Sequence, residues 1–283
     1  MIRVESFSFV WPRVVLTCSP AYIEVMKVVI FAGGLGTRIS EESHLRPKPM
    51  IEIGGKPMLW HIMKIYAAHG HTEFIICCGY KGWIIKEYFA NYFLHHADVT
   101  VNLSDNSLQI HNAHAEPFKV TLIDTGVETM TAGRLKRVLP YIGNETFMLT
   151  YGDGVSDVDI NALIAFHKTR GKICTMTTIQ PSSRFGVVNM EEDGTVLQFE
   201  EKPEDSGTWI NGGFFVIEPG IARYLDEQNM DQIMWERQPL YSLARDKQIS
   251  GFRHRGFWKC MDTMRDKEEL EHLWQSNPIW KKW

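Results

Sequence analysis

Two cations and two carboxylates are the side chains of this sequence best suited to chemistry on a phosphate: Arg38, Lys48, Asp153 and Asp262. Arg38 lies two residues after the last glycine of "GGLGTR", and its planar fork suits phosphoryl oxygens. Lys48 stands between Pro47 and Pro49, which bias the backbone toward an extended frame and limit where the ammonium can go. Proline-flanked lysines are also common in loops, and an ordinary loop lysine accounts for this one equally well. Asp153, in "LTYGDG", follows a buried apolar run and is flanked by Gly152 and Gly154. A carboxylate there could help bind Mg²⁺, which takes one or two protein carboxylates and completes its shell with phosphate and water; the segment alone reads equally well as an Asp-Gly turn. Asp262, in "GFWKCMDT", would complete such a cage if the fold brings it near; spacing alone reads equally well as an N-cap of the last helix.

The turn between β-branched "VVIFA" and Arg38 needs no side chains at Gly33, Gly34 and Gly36. A strand entering such a turn presents backbone N–H groups to an anion with no Cβ in the way. It lacks the third glycine of the dinucleotide fingerprint and the Gly-Lys-Ser/Thr of a P-loop. Taken alone it is also a tight strand–helix turn with glycines kept for packing. Three later stretches look made for the polar end of a ligand. "RFG" contains Arg184, "EKP" contains Glu201 and Lys202, and "NGG" begins with Asn211 and Gly212. Asn and Glu suit sugar hydroxyls, while Arg184 and Lys202 suit a sugar phosphate; a hairpin with a salt bridge and a bulge would account for the same residues.

Elements to position these groups are legible. Val28 to Phe31, Phe74 to Cys78, Phe147 to Thr150 and Ile173 to Thr178 read as buried strands. They alternate with helical patterns at Pro57 to His69, Lys81 to Leu94, Thr131 to Leu139 and Ile160 to Thr169. Shorter alternating runs fill Val99 to Asp124. The order predicts a Rossmann-like α/β fold, a mainly parallel mixed sheet with helices on both faces. After residue 180 the pattern changes to a hairpin around Asp193-Gly194, a strand "INGGFFVI", a helix with Tyr241 to Ala244, a strand at Ile249 to Phe252 and a last helix from Arg265 to Trp274. One domain over residues 26–283 is expected, with a carboxy-terminal elaboration from residue 181. Residues 1–25, interrupted by Pro12 and Arg13, are expected to lie outside the fold as an extension.

Composition narrows the classes. The 283 residues are 44% hydrophobic and 23% charged with net charge −4, so no basic footprint points to nucleic acid. No run approaches a membrane span. Five cysteines in no CxxC pair read as reduced thiols of a cytoplasmic protein.

Taken in order, "GGLGTR", "RPKP", "GD", "RFGVV", "EKP", "NGGFFV" and "MDT" resemble the sugar-1-phosphate nucleotidylyltransferase family across essentially residues 26–283. "GGLGTRISEES", "CCGYKGWIIKEYFANYFLH", "TAGRLKRV" and "TYGDGVSDVDI" are most similar to its cytidylyl branch. The resemblance implies CTP and glucose 1-phosphate as substrates, CDP-glucose and pyrophosphate as products, Mg²⁺ as cofactor and a homo-oligomer. It also implies that residues 26–180 bind the nucleotide and 181–283 the sugar phosphate. CDP-glucose commonly feeds deoxysugars of bacterial surface polysaccharide such as O-antigen. By residue, it implies nucleotide contacts from Phe31, Ala32, Gly33, Gly34, Leu35, Gly36, Thr37, Arg38, Lys48, Thr129, Arg134 and Gly152. Catalytic roles fall to Arg38, Lys48 and Asp153, metal ligation to Asp153 and Asp262, and the sugar phosphate to Arg184, Glu201, Lys202, Asn211 and Gly212. Two alternatives stay open: another base or sugar within the family, and a non-catalytic domain that only binds nucleotide sugars.

Overall fold

The computed structural model describes residues 25–112, 115–181, 187–192, 194–200 and 208–283. The chain runs β1 (Lys27–Ala32), α1 (Met58–Ala67), β2 (Glu73–Cys78), α2 (Gly82–Ala90), β3 (Lys119–Asp124), α3 (Thr131–Ile142), β4 (Phe147–Tyr151), α4 (Ile160–Arg170) and β5 (Cys174–Ile179). It continues through β6 (Ile210–Ile217), α5 (Gln238–Arg245), β7 (Ile249–His254) and α6 (Met264–Ser276).

The seven strands form one sheet in the order β7-β5-β6-β4-β1-β2-β3. β1 runs parallel to both its neighbours, while β6 runs antiparallel to β4 and β5. The change of pattern after residue 180 therefore inserts an antiparallel strand into the main sheet. Central strands buried on both faces must be apolar at every position, and β1 shows the consequence. Val28, Ile30 and Ala32 join a core with α1 and α6, whereas Val29 and Phe31 face α3 and the buried Trp235.

Local boundaries shift for physical reasons. The α3 pattern was expected to stop at Leu139, yet the helix passes through Pro140 to Ile142. A proline so near the carboxyl end forfeits one hydrogen bond, and the fully buried Ile142 holds the last turn to the sheet. The runs over 99–124 resolve into an antiparallel hairpin, Asp98–Asn102 with Ser107–His111, followed by β3. The hairpin expected around Asp193-Gly194 pairs Val187–Met190 with Val196–Glu200.

From β1 the chain steps outward through β2 to β3, then returns past β1 to lay down β4. That reversal opens a crevice beyond the carboxyl ends of β1 and β4, where open α/β sheets bind ligands. Gly33 follows β1 there, and Gly152 and Asp153 follow β4.

Candidate active site

A cavity of about 440 Å³ fills this crevice, lined by Phe31 to Ile39, Lys48, Val127 to Thr131, Arg134 and Tyr151 to Asp153, among others. Every residue of "FAGGLGTR" reaches it, and so do Lys48, Thr129, Arg134, Gly152 and Asp153. The glycine turn leads into only a 3₁₀ turn, Thr37–Ile39, and one α-turn, Ser40–Ser43. Positive charge at this mouth therefore comes from side chains more than from a helix dipole.

The three glycines serve different ends. A Cβ at Gly33 would sit 2.1 Å from Arg134 Nη1, so this glycine makes room for the arginine. Gly36 adopts φ +67°, the left-handed region that favours glycine. Gly34 meets neither condition: nothing lies within 4 Å of where its Cβ would be, and it is exposed to the cavity. Glycine at 34 keeps the backbone bare toward that space. At the facing strand end, a Cβ on Gly152 would lie 2.6 Å from the Phe31 carbonyl oxygen.

Arg134 is buried, and its guanidinium is spent on its own chain. Nη1 donates to the Cys78 carbonyl, to Thr125 Oγ1 at 2.7 Å and to the Gly126 carbonyl; Nη2 donates to the carbonyls of Gly33 and Val127. Burial lowers its pKa, and the ring of acceptors keeps the charge satisfied. The arginine thus ties the glycine turn after β1 to the loops after β2 and β3.

Lys48 opens a 3₁₀ turn, Lys48–Met50, rather than an extended frame; only Pro47 before it is extended. The turn buries Lys48 and aims its ammonium between two carboxylates, Asp153 Oδ2 at 2.6 Å and Asp262 Oδ1 at 2.7 Å. Burial alone would lower its pKa, but the charges and hydrogen bonds of Asp153 and Asp262 outweigh this, and the net direction is up. Arg38 reaches the other oxygen of Asp262, Oδ2, at 2.7 Å, with most of its side chain exposed at the rim. A partner so exposed is held weakly and can turn to an incoming phosphate.

A short ladder brings these two aspartates together. Gly154–Ser156 pairs antiparallel with Trp258–Cys260, Cys260 opposite Gly154, and the Met261 N–H donates to the Asp153 carbonyl at 2.9 Å. Asp262 is not the cap of α6. Thr263 is, in a capping box with Asp266, whose Oδ2 also accepts the Asp262 N–H at 3.1 Å. The Asp262 carboxylate is left facing Lys48. Among the described residues no group of three or more His, Cys, Asp or Glu is arranged to hold a metal ion. Two convergent carboxylates are nevertheless the hard oxygen donors that Mg²⁺ accepts when phosphate and water fill the remaining positions, and they already converge on one cation, the Lys48 ammonium.

Asn211 and Gly212 lie at the bulge where β6 passes β5, with Gly213 and Phe214 in left-handed conformation. Asn211 donates through Nδ2 to Tyr151 Oη at 3.0 Å, and Trp258 Nε1 donates to the Gly212 carbonyl at 2.7 Å. Tyr151, overlooked in the sequence, lines the cavity and joins it to Asn211. It is the residue before "GD", so the signal was present. Met234, which lines the same cavity from a loop before α5, carried none. Arg184, Glu201 and Lys202 lie outside the described residues.

The Nucleotidyl transferase family model matches residues 27–263. The chain belongs to the nucleotidyl transferase family. It is 54% identical over 260 residues to the glucose-1-phosphate cytidylyltransferases of Salmonella typhi and Salmonella typhimurium, covering 91% of this chain and 100% of each relative. Among solved structures, a UDP-glucose pyrophosphorylase complexed with UDP-glucose superposes with TM-score 0.63 at 17% identity, covering 89% of this chain and 99% of that one. That likeness speaks for the shared nucleotide-diphospho-sugar transferase fold.

Proposed function

We propose that this nucleotidyl transferase moves the cytidylyl group of CTP onto α-D-glucose 1-phosphate, giving CDP-glucose and pyrophosphate. The observation that carries the reading is the 54% identity over the whole length of curated glucose-1-phosphate cytidylyltransferases. In this reading residues 26–180 hold the nucleotide and 181–283 supply most of the sugar-phosphate side. The triphosphate lies over the turn from Gly33 to Arg38, with the exposed backbone at Gly34 closest to it, and Thr129 on the cavity wall beside the nucleoside. Arg134 supports that turn from behind. Asn211 and Gly212, joined to the cavity through Tyr151, lie on the sugar-phosphate side with Arg184, Glu201 and Lys202.

A phosphate oxygen of the sugar attacks the α-phosphorus in line; the bond from that phosphorus to the bridging oxygen breaks, and pyrophosphate leaves with the electron pair. Such a transfer leaves little covalent work to the protein, so positioning and charge stabilisation dominate. Arg38 swings from Asp262 to the phosphates at the rim. The Lys48 ammonium, kept protonated by its two carboxylates, places a positive charge beside the transferring group. Asp153 and Asp262 would hold Mg²⁺, which supplies Lewis-acid polarisation of the phosphoryl oxygens. Self-association as a homo-oligomer and a cytoplasmic location belong to the same reading. Among the described residues no helix is long and apolar enough to cross a membrane.

The test is pyrophosphate release from glucose 1-phosphate and Mg²⁺ with CTP, UTP, dTTP, ATP or GTP offered singly. Strong preference for CTP is expected. Preference for another nucleotide would overturn the base assignment, and silence with all five from folded protein that binds CTP would overturn catalysis.

A further inference from the structure

Far from the crevice, the hairpin Asp98–Asn102/Ser107–His111 stands out from the subunit. Every residue of its first strand and all but His111 of its second are exposed. Its two faces differ sharply. Val99 lies opposite Ile110 and Val101 opposite Leu108, so four apolar side chains share one face. The other face carries Thr100, Asn102, Ser107 and Gln109, and Leu103 at the turn is 86% exposed. An isolated two-stranded hairpin is at best marginally stable in water, and an exposed apolar strand pair invites association.

The same subunit carries an apolar groove beside the root of this hairpin. It is a cavity of about 640 Å³ between α2 and the edge strand β3, lined by Phe89, Phe93, Phe118, Val120 and Leu122, with Lys86 at its side. β3 ends the sheet, so its outer edge has no strand partner among the described residues. Glu116 also lines the groove, but Lys64 neutralises it at 2.9 Å. The groove thus offers a cation in an apolar trough. The hairpin from Asp98 to His111 contains no lysine or arginine, and its acids are Asp98 and Asp105, the latter at the turn.

We infer that the hairpin of one subunit seats its apolar face in the α2–β3 groove of a second copy of this chain, with the acidic turn against Lys86. The inference rests on the homo-oligomer reading above and names its surface. In any closed symmetric assembly each subunit gives one hairpin and receives one. In a two-fold dimer, where one interface holds both contacts, hairpin and groove together supply at most about 20 to 25 residues per subunit, against the roughly 20 to 30 a side that stable interfaces use.

The test is mass in solution by light scattering after gel filtration, from about 0.5 to 50 μM, with circular dichroism as the fold control. The wild type is expected to be a discrete oligomer. The Val101→Asp/Leu108→Asp variant alters only exposed side chains and is expected to raise the dissociation midpoint at least about tenfold. Asp105→Lys and Lys86→Glu should each weaken association severalfold, and their combination should restore it toward wild type. A monomeric wild type would overturn self-association altogether. An oligomer indifferent to both the hairpin variant and Lys86→Glu would overturn this surface while leaving association through another face. Additive losses in the double reversal would overturn the Asp105–Lys86 pairing.

Discussion

Replacing Gly33 and its neighbour Gly34 by alanine separates what the glycine turn does for the fold from what it does for the ligand. At Gly33 the new Cβ would sit 2.1 Å from Nη1 and 2.4 Å from Cζ of Arg134. The guanidinium must retreat by more than about 1 Å to reach ordinary contact, and its bonds to Thr125 Oγ1 at 2.7 Å and to the Gly33 carbonyl at 2.9 Å cannot survive that. Buried hydrogen bonds from a charged donor are worth about 1.5–3 kcal/mol each, so losing two costs roughly 3–6 kcal/mol. Gly34→Ala meets nothing within 4 Å and has no left-handed φ to strain. Its stability should stay within about 0.5 kcal/mol of wild type, or rise slightly through the unfolded chain.

Urea unfolding at 25 °C followed by circular dichroism measures the first effect, and KM for CTP measures the second. Gly33→Ala should lower stability by several kcal/mol. On an Arg134→Ala background the same change should cost under about 1 kcal/mol, because the obstacle is gone, giving a coupling of a few kcal/mol. Gly34→Ala should fold normally and raise KM for CTP at least about tenfold, since a methyl would stand where a phosphate approaches the backbone. Two results would refute this reasoning: a Gly33→Ala cost that persists undiminished without Arg134, or a Gly34→Ala enzyme that binds CTP like wild type.

Other expectations come from the same geometry. Lys48→Ala and Asp153→Ala should each lower kcat/KM at least about 10²-fold in the pyrophosphate assay while the protein stays folded. Asp266→Ala frees the Asp262 and Thr263 N–H groups and should lower kcat more than KM, with a helix-cap loss of about 1 kcal/mol in urea. Stability should fall on acidification below about pH 6.5. Burial holds His61 and His71 at pKa about 4, so the unfolded chain binds protons that the folded one refuses, and calorimetry should show this slope shrinking in His61→Gln.

His61 shows why the sequence left part of this molecule unreadable. It sits in α1 among Trp60, Trp274, Trp280 and Trp283. Its Nε2 donates to the Ile53 carbonyl at 2.8 Å while Nδ1 accepts from Trp280 Nε1, which requires the neutral ring. Nothing local to residue 61 announces partners more than 200 residues away. The alternation of strands and helices was legible because burial on both faces of a parallel strand imprints an unbroken apolar run. Boundaries went astray where a local rule met tertiary packing, as at Pro140 and at the 3₁₀ turn of Lys48. Arg184, Glu201 and Lys202 lie outside the described residues, so the fold says nothing for or against their reading.

The meaning of single residues was the harder part. "GGLGTR" reads from the sequence as one phosphate-binding device, yet only Gly34 is left without a structural reason to be glycine. Gly33 belongs to Arg134, for which the family resemblance implies a nucleotide contact and whose guanidinium is spent on five acceptors of its own chain. Lys48 and Asp262 carry the opposite lesson. Each had a bland local explanation, a loop lysine or a helix cap. The ladder of Gly154–Ser156 with Trp258–Cys260 removes both, by setting Asp262 beside Asp153 and giving the cap to Thr263. Two carboxylates that converge on one buried ammonium at 2.6 and 2.7 Å would repel each other without a cation between them. In the reading that these carboxylates hold Mg²⁺, Lys48 keeps them in a geometry that a second cation can use, and its loss should raise the Mg²⁺ concentration needed for half-maximal CTP binding as well as slow the transfer. If titration by CTP-dependent quenching of tryptophan fluorescence shows the same Mg²⁺ requirement in Lys48→Met as in wild type, the lysine stabilises transferring charge alone and does not organise the carboxylates.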